Sequence, residues 1–285
     1  MNKQKKYTID SIQKLKIQKK TFAVITAYDF PTAQIINDLD FPIVLVGDSA
    51  SMVVYGYHNT TQIDMDEMLL ISRAVSRGIT KALIVGDMPF MSYQPSIEIA
   101  IQNAGRFIKE GKVDAIKLEG GVEYIEQILG IIKSGIPVMG HIGLKPQSIL
   151  IDSQYKIHGK TTEQAFQIYQ DALALEKAGV FALVLEGVPL ELAKIITNKI
   201  KIPVIGIGAG DMCDAQIQVL HDVIGLFGSR VPKHAHAYIN SQKLVKDALQ
   251  KYQIDVCNQQ FPKHAHATNM NNQQFKKLKE AIENI

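Results

Sequence analysis

Residues 41–52, FPIVLVGDSASM, open as a continuous apolar run of strand character and stop on a carboxylate, Asp48, followed at once by Ser49. One such ending means little, but the pattern recurs. ALIVGDMPF (82–90) reaches Asp87, VDAIKLEGG (113–121) reaches Glu119, and VFALVLEGVP (180–189) reaches Glu186. Apolar runs without alternation are those of strands covered on both faces.

Working outward, eight candidate strands emerge: 21–27 (TFAVITA), 42–48 (PIVLVGD), 82–87 (ALIVGD), 113–119 (VDAIKLE), 136–141 (IPVMGH), 180–186 (VFALVLE), 202–207 (IPVIGI) and 222–227 (DVIGLF). Helix-like segments separate them, most clearly at 64–78, 96–111, 122–135 and 161–179. Several of these finish on Lys or Arg followed by Gly, a helix stop signal. Strand–helix alternation at this spacing predicts repeated βα units, and eight of them match the size of a (β/α)8 barrel. A doubly wound sheet is the alternative. Its dinucleotide fingerprint belongs after the first strand, whereas the one Gly-rich turn, GIGAG (206–210), follows the seventh and has the wrong spacing. The expected organisation is a single barrel domain over 1–252 with a short helical lead-in, then a polar, partly helical tail over 253–285.

Composition fits this picture. The 285 residues are 46% hydrophobic, enough for a large core, and the net charge is only +3. Part of the basic excess lies in the lysine-rich N-terminus, and no basic stripe interleaved with aromatics suggests a nucleic-acid partner. Two cysteines, Cys213 and Cys257, without C-x-x-C spacing suit a reducing compartment and show no helper for nucleophilic catalysis. No signal-peptide pattern and no apolar run near 20 residues is present, so a soluble, intracellular protein is expected.

In such a barrel the chemistry lies at the C-terminal ends of the strands. Asp48, Asp87, Glu119, His141 and Glu186 each end a predicted strand, and Lys117 shares the face of Glu119 two residues on. Four converging carboxylates call for a cation. Oxygen donors without thiolates suit a hard ion such as Mg2+, which would polarise a carbonyl as a Lewis acid. A carboxylate left over, with its pKa raised by burial, could act as base. Each residue also has a plain structural reading. A strand-end carboxylate can be a helix N-cap, Ser49 a turn or cap residue, and His141 a hydrogen-bonded core histidine. The H-x-H pairs His234/His236 and His264/His266 read as surface histidines rather than ligands, and GIGAG as a tight turn rather than an anion cradle.

A further pattern spans residues 7 to 252. TAYDF (26–30), VGDSASMVVYG (46–56), DMPFMSY (87–93), KLEGG (117–121), GHIGLKPQS (140–148), LEGVP (185–189) and PVIGIGAG (203–210) resemble, in order and spacing, the ketopantoate hydroxymethyltransferase family. The resemblance implies a barrel of the phosphoenolpyruvate/pyruvate type. It implies 3-methyl-2-oxobutanoate and 5,10-methylenetetrahydrofolate as substrates, with tetrahydrofolate leaving. It also implies Mg2+ and a cytoplasmic homo-oligomer, expected as a decamer, without nucleic-acid or membrane partners. By motif, Asp48, Asp87 and Glu119 would hold the metal. Asp48, Ser49, Asp87 and Lys117 would bind the oxoacid, His141 would line the pocket, and Glu186 would accept the C3 proton to give a Mg-stabilised enolate. The chain departs from the family at Ala50-Ser51, at Tyr57-His58-Asn59-Thr60, at Lys145, and at the two PKHAHA segments (232–237, 262–267). Two other readings remain open: a lyase or aldolase of the same superfamily acting on another 2-oxoacid, and a silent barrel kept for binding or assembly.

Overall fold

A closed barrel of eight parallel strands in chain order organises the computed structural model, which describes residues 6–152, 156–226 and 232–284. The strands are β1 (Phe22–Thr26), β2 (Ile43–Val46), β3 (Leu83–Asp87), β4 (Ala115–Lys117), β5 (Val138–Gly143), β6 (Ala182–Glu186), β7 (Val204–Ile207) and β8 (Ala215–Gln218). Each pairs with the next, and β1 closes on β8 through the register Phe22–Ala215 to Ile25–Gln218.

The side chains divide by strand parity. Phe22 and Val24, Ile43 and Leu45, Leu83 and Val85, Ala115, Met139, and Ala182 and Val184 pack in one cluster. Their alternate neighbours Ile25, Val44, Ile84, Ile116, Ile142 and Leu183 pack in a second cluster with the surrounding helices. A strand whose alternate residues join two apolar clusters must be apolar throughout, which explains the continuous runs. The first cluster also takes Ile12 and Leu15 from the helix Ile9–Ile17. Thr8 caps that helix in a capping box with Ser11, satisfying donors the helix leaves open. Burying Ile12 and Leu15 stabilises the fold by roughly 1.5–3 kcal/mol each. Lys16 fastens the same helix, its ammonium donating to Asp214 Oδ2 at 2.7 Å and to the Thr197 carbonyl at 2.9 Å.

The last predicted strand is displaced. Residues 220–223 form a short helix, and β8 is instead Ala215–Gln218. AQIQ alternates, with Ala215 and Ile217 buried and Gln216 and Gln218 half-buried, so it lacks the unbroken apolar signal of the other seven. The expected span 222–227 ends on a residue outside those described. No helix lies between β7 and β8, where residues 208–214 form only bends.

The chain divides into two compact units, Met1–Tyr238 and Ile239–Ile285. The division precedes the expected boundary at 252, which falls inside the continuous helix Ser241–Cys257. A second helix, Asn272–Glu283, completes the smaller unit.

Candidate active site

Asp87 and Lys117 end β3 and β4, where they are register partners. Both continue the parity of the inner cluster, so their side chains meet within the mouth of the barrel. Lys117 Nζ donates to Asp87 Oδ1 at 2.7 Å, with side chains only 4% and 2% exposed. Burial opposes the lysine's charge, but Asp87, Glu119 and Asp48 outweigh it and hold the ammonium's pKa above its usual range.

Two predicted strand-end residues lie just beyond their strands. β2 stops at Val46, so Asp48 sits in the following turn, its backbone N–H donating to Asp87 Oδ2 at 3.1 Å. β4 stops at Lys117, and Glu119 keeps the inward parity two residues later. Gln147 ties the two loops together. Its Nε2 donates to Asp48 Oδ2 at 2.8 Å and to the Met88 carbonyl at 2.9 Å, and its backbone N–H donates to Glu119 Oε2 at 3.0 Å. Tyr93 completes this layer, its hydroxyl lying 2.9 Å from the Glu119 carbonyl and 3.0 Å from Gln147 Oε1. Burial first, then repulsion from Asp87, pushes the Asp48 carboxyl up to about 8. Glu119 is raised well above its usual range, by burial and by Asp48 and Asp87 against the opposing pull of Lys117.

His141 lies inside β5 rather than at its end, because β5 runs on to Gly143. Its Nε2 is 3.3 Å from Glu186 Oε2 and its Nδ1 3.7 Å from Glu119 Oε1, neither in hydrogen-bond alignment. Burial, reinforced by Lys117, drives its pKa well below the usual imidazole value, so it is neutral. Glu186 ends β6 and is the least enclosed of the four carboxylates, with 19% of its side chain exposed. Burial lifts it to about 7, against Lys117 and His234, which favour the charged form. Gly143 lets β5 come this close. Its φ is +93°, and a Cβ there would stand 2.2 Å from the Glu186 carbonyl oxygen.

None of the four carboxylates caps a helix; the described caps are other residues, such as Asp29, Asp64 and Ser96. Ser49 precedes the short helix Ala50–Val53 without capping it through its side chain, and its hydroxyl pairs with Tyr28 at 2.8 Å. The barrel thus gathers Asp48, Asp87, Lys117, Glu119, His141 and Glu186, with Ser49 beside Asp48. His234, His236, His264 and His266 are exposed, Cys213 is buried with its thiol pKa raised mainly by burial, and Cys257 is exposed. Gln147 and Tyr93 escaped the sequence reading because an amide and a phenol carry no charge signal, although both lie inside quoted motifs. His234, exposed as expected of a surface histidine, lies close over the turn that follows Glu186: Gly208 has its would-be Cβ 3.4 Å from His234 Cβ and 3.7 Å from Gly187 N.

The chemistry of the cluster suits a hard divalent ion. Its donors are carboxylate oxygens, Lys117 alone cannot neutralise them, and among the described residues Glu119 Oε1 is buried without a hydrogen-bond partner. Among the described residues no three ligand side chains already converge at metal-binding distance; Gln147, Lys117 and the Asp48 N–H hold Asp48 Oδ2, Glu119 Oε2 and both Asp87 oxygens.

A parallel eight-stranded barrel with an acid-lined site at its strand ends defines an enzyme of the (β/α)8 class. The solved structure of 2,3-dimethylmalate lyase, described as a PEP mutase/isocitrate lyase superfamily member, shares this fold at TM-score 0.57 and 13% identity, with 97% of this chain and 94% of that one covered. The chain belongs to the ketopantoate hydroxymethyltransferase family, whose profile matches residues 6–264. It is 47% identical over 275 residues to the 3-methyl-2-oxobutanoate hydroxymethyltransferase of Dehalococcoides mccartyi, covering 96% of this chain and 99% of that one. The enzyme of the same name from Clostridioides difficile is 45% identical over 273 residues, with the same coverage.

Proposed function

We propose that the protein transfers a hydroxymethyl group from 5,10-methylenetetrahydrofolate to 3-methyl-2-oxobutanoate, giving 2-dehydropantoate and tetrahydrofolate, with Glu186 as the base. The observation that carries the assignment is the placement of Glu186. It is a partly accessible carboxylate, raised to about 7, against a neutral His141 and beside the buried Asp87–Lys117 pair. Asp48, Asp87 and Glu119 are the residues that would hold Mg2+, which would supply the Lewis acidity that makes the C3 proton of the oxoacid removable.

Lys117 and Ser49 bind and orient the oxoacid carboxylate, and His141 walls the pocket beside the base without adding charge. Glu186 takes the C3 proton on Oε2. C3 then bonds to the donor's one-carbon unit, the bonds from that carbon to the two folate nitrogens break, water supplies the hydroxyl oxygen, and the proton taken by Glu186 and one proton of that water end on the two nitrogens. Proton–deuterium exchange at C3, followed by NMR in heavy water with and without Mg2+, tests this directly. Exchange that requires the divalent ion is expected, and its absence with and without tetrahydrofolate would overturn the oxoacid assignment.

The pH profile carries its own sign. Glu186 works only as the carboxylate, so kcat/KM is expected to be full above about 7 and to fall about tenfold per pH unit below it. A profile flat down to pH 5 would rule Glu186 out as the base.

The homo-oligomer is likewise a proposal. Val245, Leu249, Tyr252 and Val256 follow i, i+4, i+7, i+11 spacing on the helix Ser241–Cys257 and are all exposed, an apolar stripe that favours burial against another surface. Leu249→Glu is expected to lower the assembly mass seen by light scattering; an unchanged mass would remove this stripe from the interface. Among the described residues no helix is long and apolar enough to cross a membrane, in keeping with the proposed cytoplasmic location.

A further inference from the structure

Beside the strand-end cluster, a cavity of about 320 Å3 opens between the loops after β4 and β5 and the helix Thr162–Ala178. Its walls combine Ile142 and Ile168 with Gln164, Gln167 and Asp171. It adjoins the chemistry through its glycines. Gly121 is two residues beyond Glu119, and Gly143 packs on the Glu186 carbonyl.

Asp171 is built into this wall. Its carboxyl carbon lies 2.3 Å from where a Cβ on Gly121 would stand, so only glycine admits it there. Val122 N–H and Gln167 Nε2 donate to Oδ1 at 3.2 and 3.3 Å, which fixes the carboxylate while an ionised group keeps further acceptor sites on both oxygens. The nearby cation is engaged elsewhere, Lys145 Nζ holding Glu123 Oε1 at 2.6 Å. Burial raises the Asp171 carboxyl, and the two hydrogen bonds oppose the rise. Fixed acceptors between aliphatic walls complement a flat heteroaromatic ring that carries adjacent N–H donors. A bicyclic 2-amino-4-oxopyrimidine is such a ring, with its amino and lactam N–H groups on one edge. The volume is at the small end of the range for ligand sites, adequate for that head group with the remainder of a folate outside.

We propose that this cleft seats the pterin head of the folate donor, with Asp171 accepting its ring N–H groups, so that the one-carbon unit is delivered next to Glu186. The assignment rests on the hydroxymethyl-transfer reading above. Tetrahydrofolate binding by isothermal titration calorimetry tests it, with C3 exchange of 3-methyl-2-oxobutanoate without folate measured on the same proteins. Asp171→Asn keeps an oxygen for the Val122 N–H but loses the charge. It is expected to weaken tetrahydrofolate binding about 10- to 100-fold, the loss of one charge-assisted hydrogen bond, and to raise the donor KM alike. Folate-free exchange, in which Asp171 takes no part, keeps its rate. Gln164→Trp, at an exposed helix position, fills the cleft from its rim and is expected to weaken binding without unfolding the barrel. Unchanged tetrahydrofolate affinity in both variants overturns the proposal, as does a parallel fall of exchange and binding, which marks Asp171 as structural. Wild-type protein that exchanges C3 but binds no tetrahydrofolate overturns it too. Wild-type protein that does not exchange at all is the separate failure of the oxoacid reading.

Discussion

Glu186→Gln is expected to cut C3 proton–deuterium exchange on 3-methyl-2-oxobutanoate by about 10²- to 10⁴-fold, the range for losing a positioned general base. The substitution is nearly isosteric and leaves the backbone pairing of Glu186 with Ile207 in the β6–β7 ladder untouched. What it removes is the site that receives the proton. The other carboxylates cannot easily stand in. Asp87 is committed to Lys117 at 2.7 Å, Asp48 to Gln147 at 2.8 Å, and Glu119 takes the Gln147 backbone N–H at 3.0 Å. His141 is the nearest basic group, at 3.3 Å, but burial holds its pKa so low that it is a poor proton acceptor. Oxoacid binding, followed by ligand line broadening, should stay within a few-fold of wild type. Exchange surviving within tenfold would show that proton removal lies elsewhere in the cluster.

The architecture was legible because of how a parallel barrel packs. Each strand buries alternate residues in two apolar environments, and an uninterrupted apolar run is the sequence consequence. Seven runs carried that signal. β8 did not, because Gln216 and Gln218 are half-buried and each places its amide on a backbone carbonyl, of Gly210 and of His234. The site was legible to the extent that parity governs it. Asp87, Lys117, Glu119, His141 and Glu186 all extend the inner set of their strands, so a period-two count finds them even where a strand boundary is misplaced by two residues. Asp48 obeys no such count. It faces the cluster because the chain turns after Gly47, and only the recurrence of strand-end acids drew attention to it. Gln147 could not be found this way at all, since its contacts join three loops distant in sequence. Tertiary hydrogen bonding of a neutral side chain leaves no local periodicity to read. The expected boundary at 252 lies inside the helix Ser241–Cys257 because composition changes within that element.

Lys117→Met carries the largest expected effect on stability. The two partners are almost wholly enclosed, and adjacent-strand register fixes their geometry. Met fills much of the volume of the lysine stem, so the change chiefly deletes the charge. Asp87 then keeps only the Asp48 N–H, on Oδ2, and sits as a buried anion among Asp48 and Glu119. Breaking a buried pair by removing one partner costs about 3–5 kcal/mol, which lowers the Tm by on the order of 10 °C in a domain of this size. Removing both charges should behave differently. In the double variant Lys117→Met/Asp87→Asn the amide still accepts from the Asp48 N–H but needs no counter-charge, so at least half of the lost Tm should return. The double-mutant cycle measured by thermal melting isolates that coupling. Activity does not return in either protein, because the oxoacid carboxylate has lost the ammonium that binds it. The two measurements therefore separate the roles of Lys117. A single variant that melts within about 2 °C of wild type, yet fails to bind the oxoacid, would mean that the Asp87–Lys117 pair adds little to stability. The lysine's charge would then serve the substrate rather than the fold.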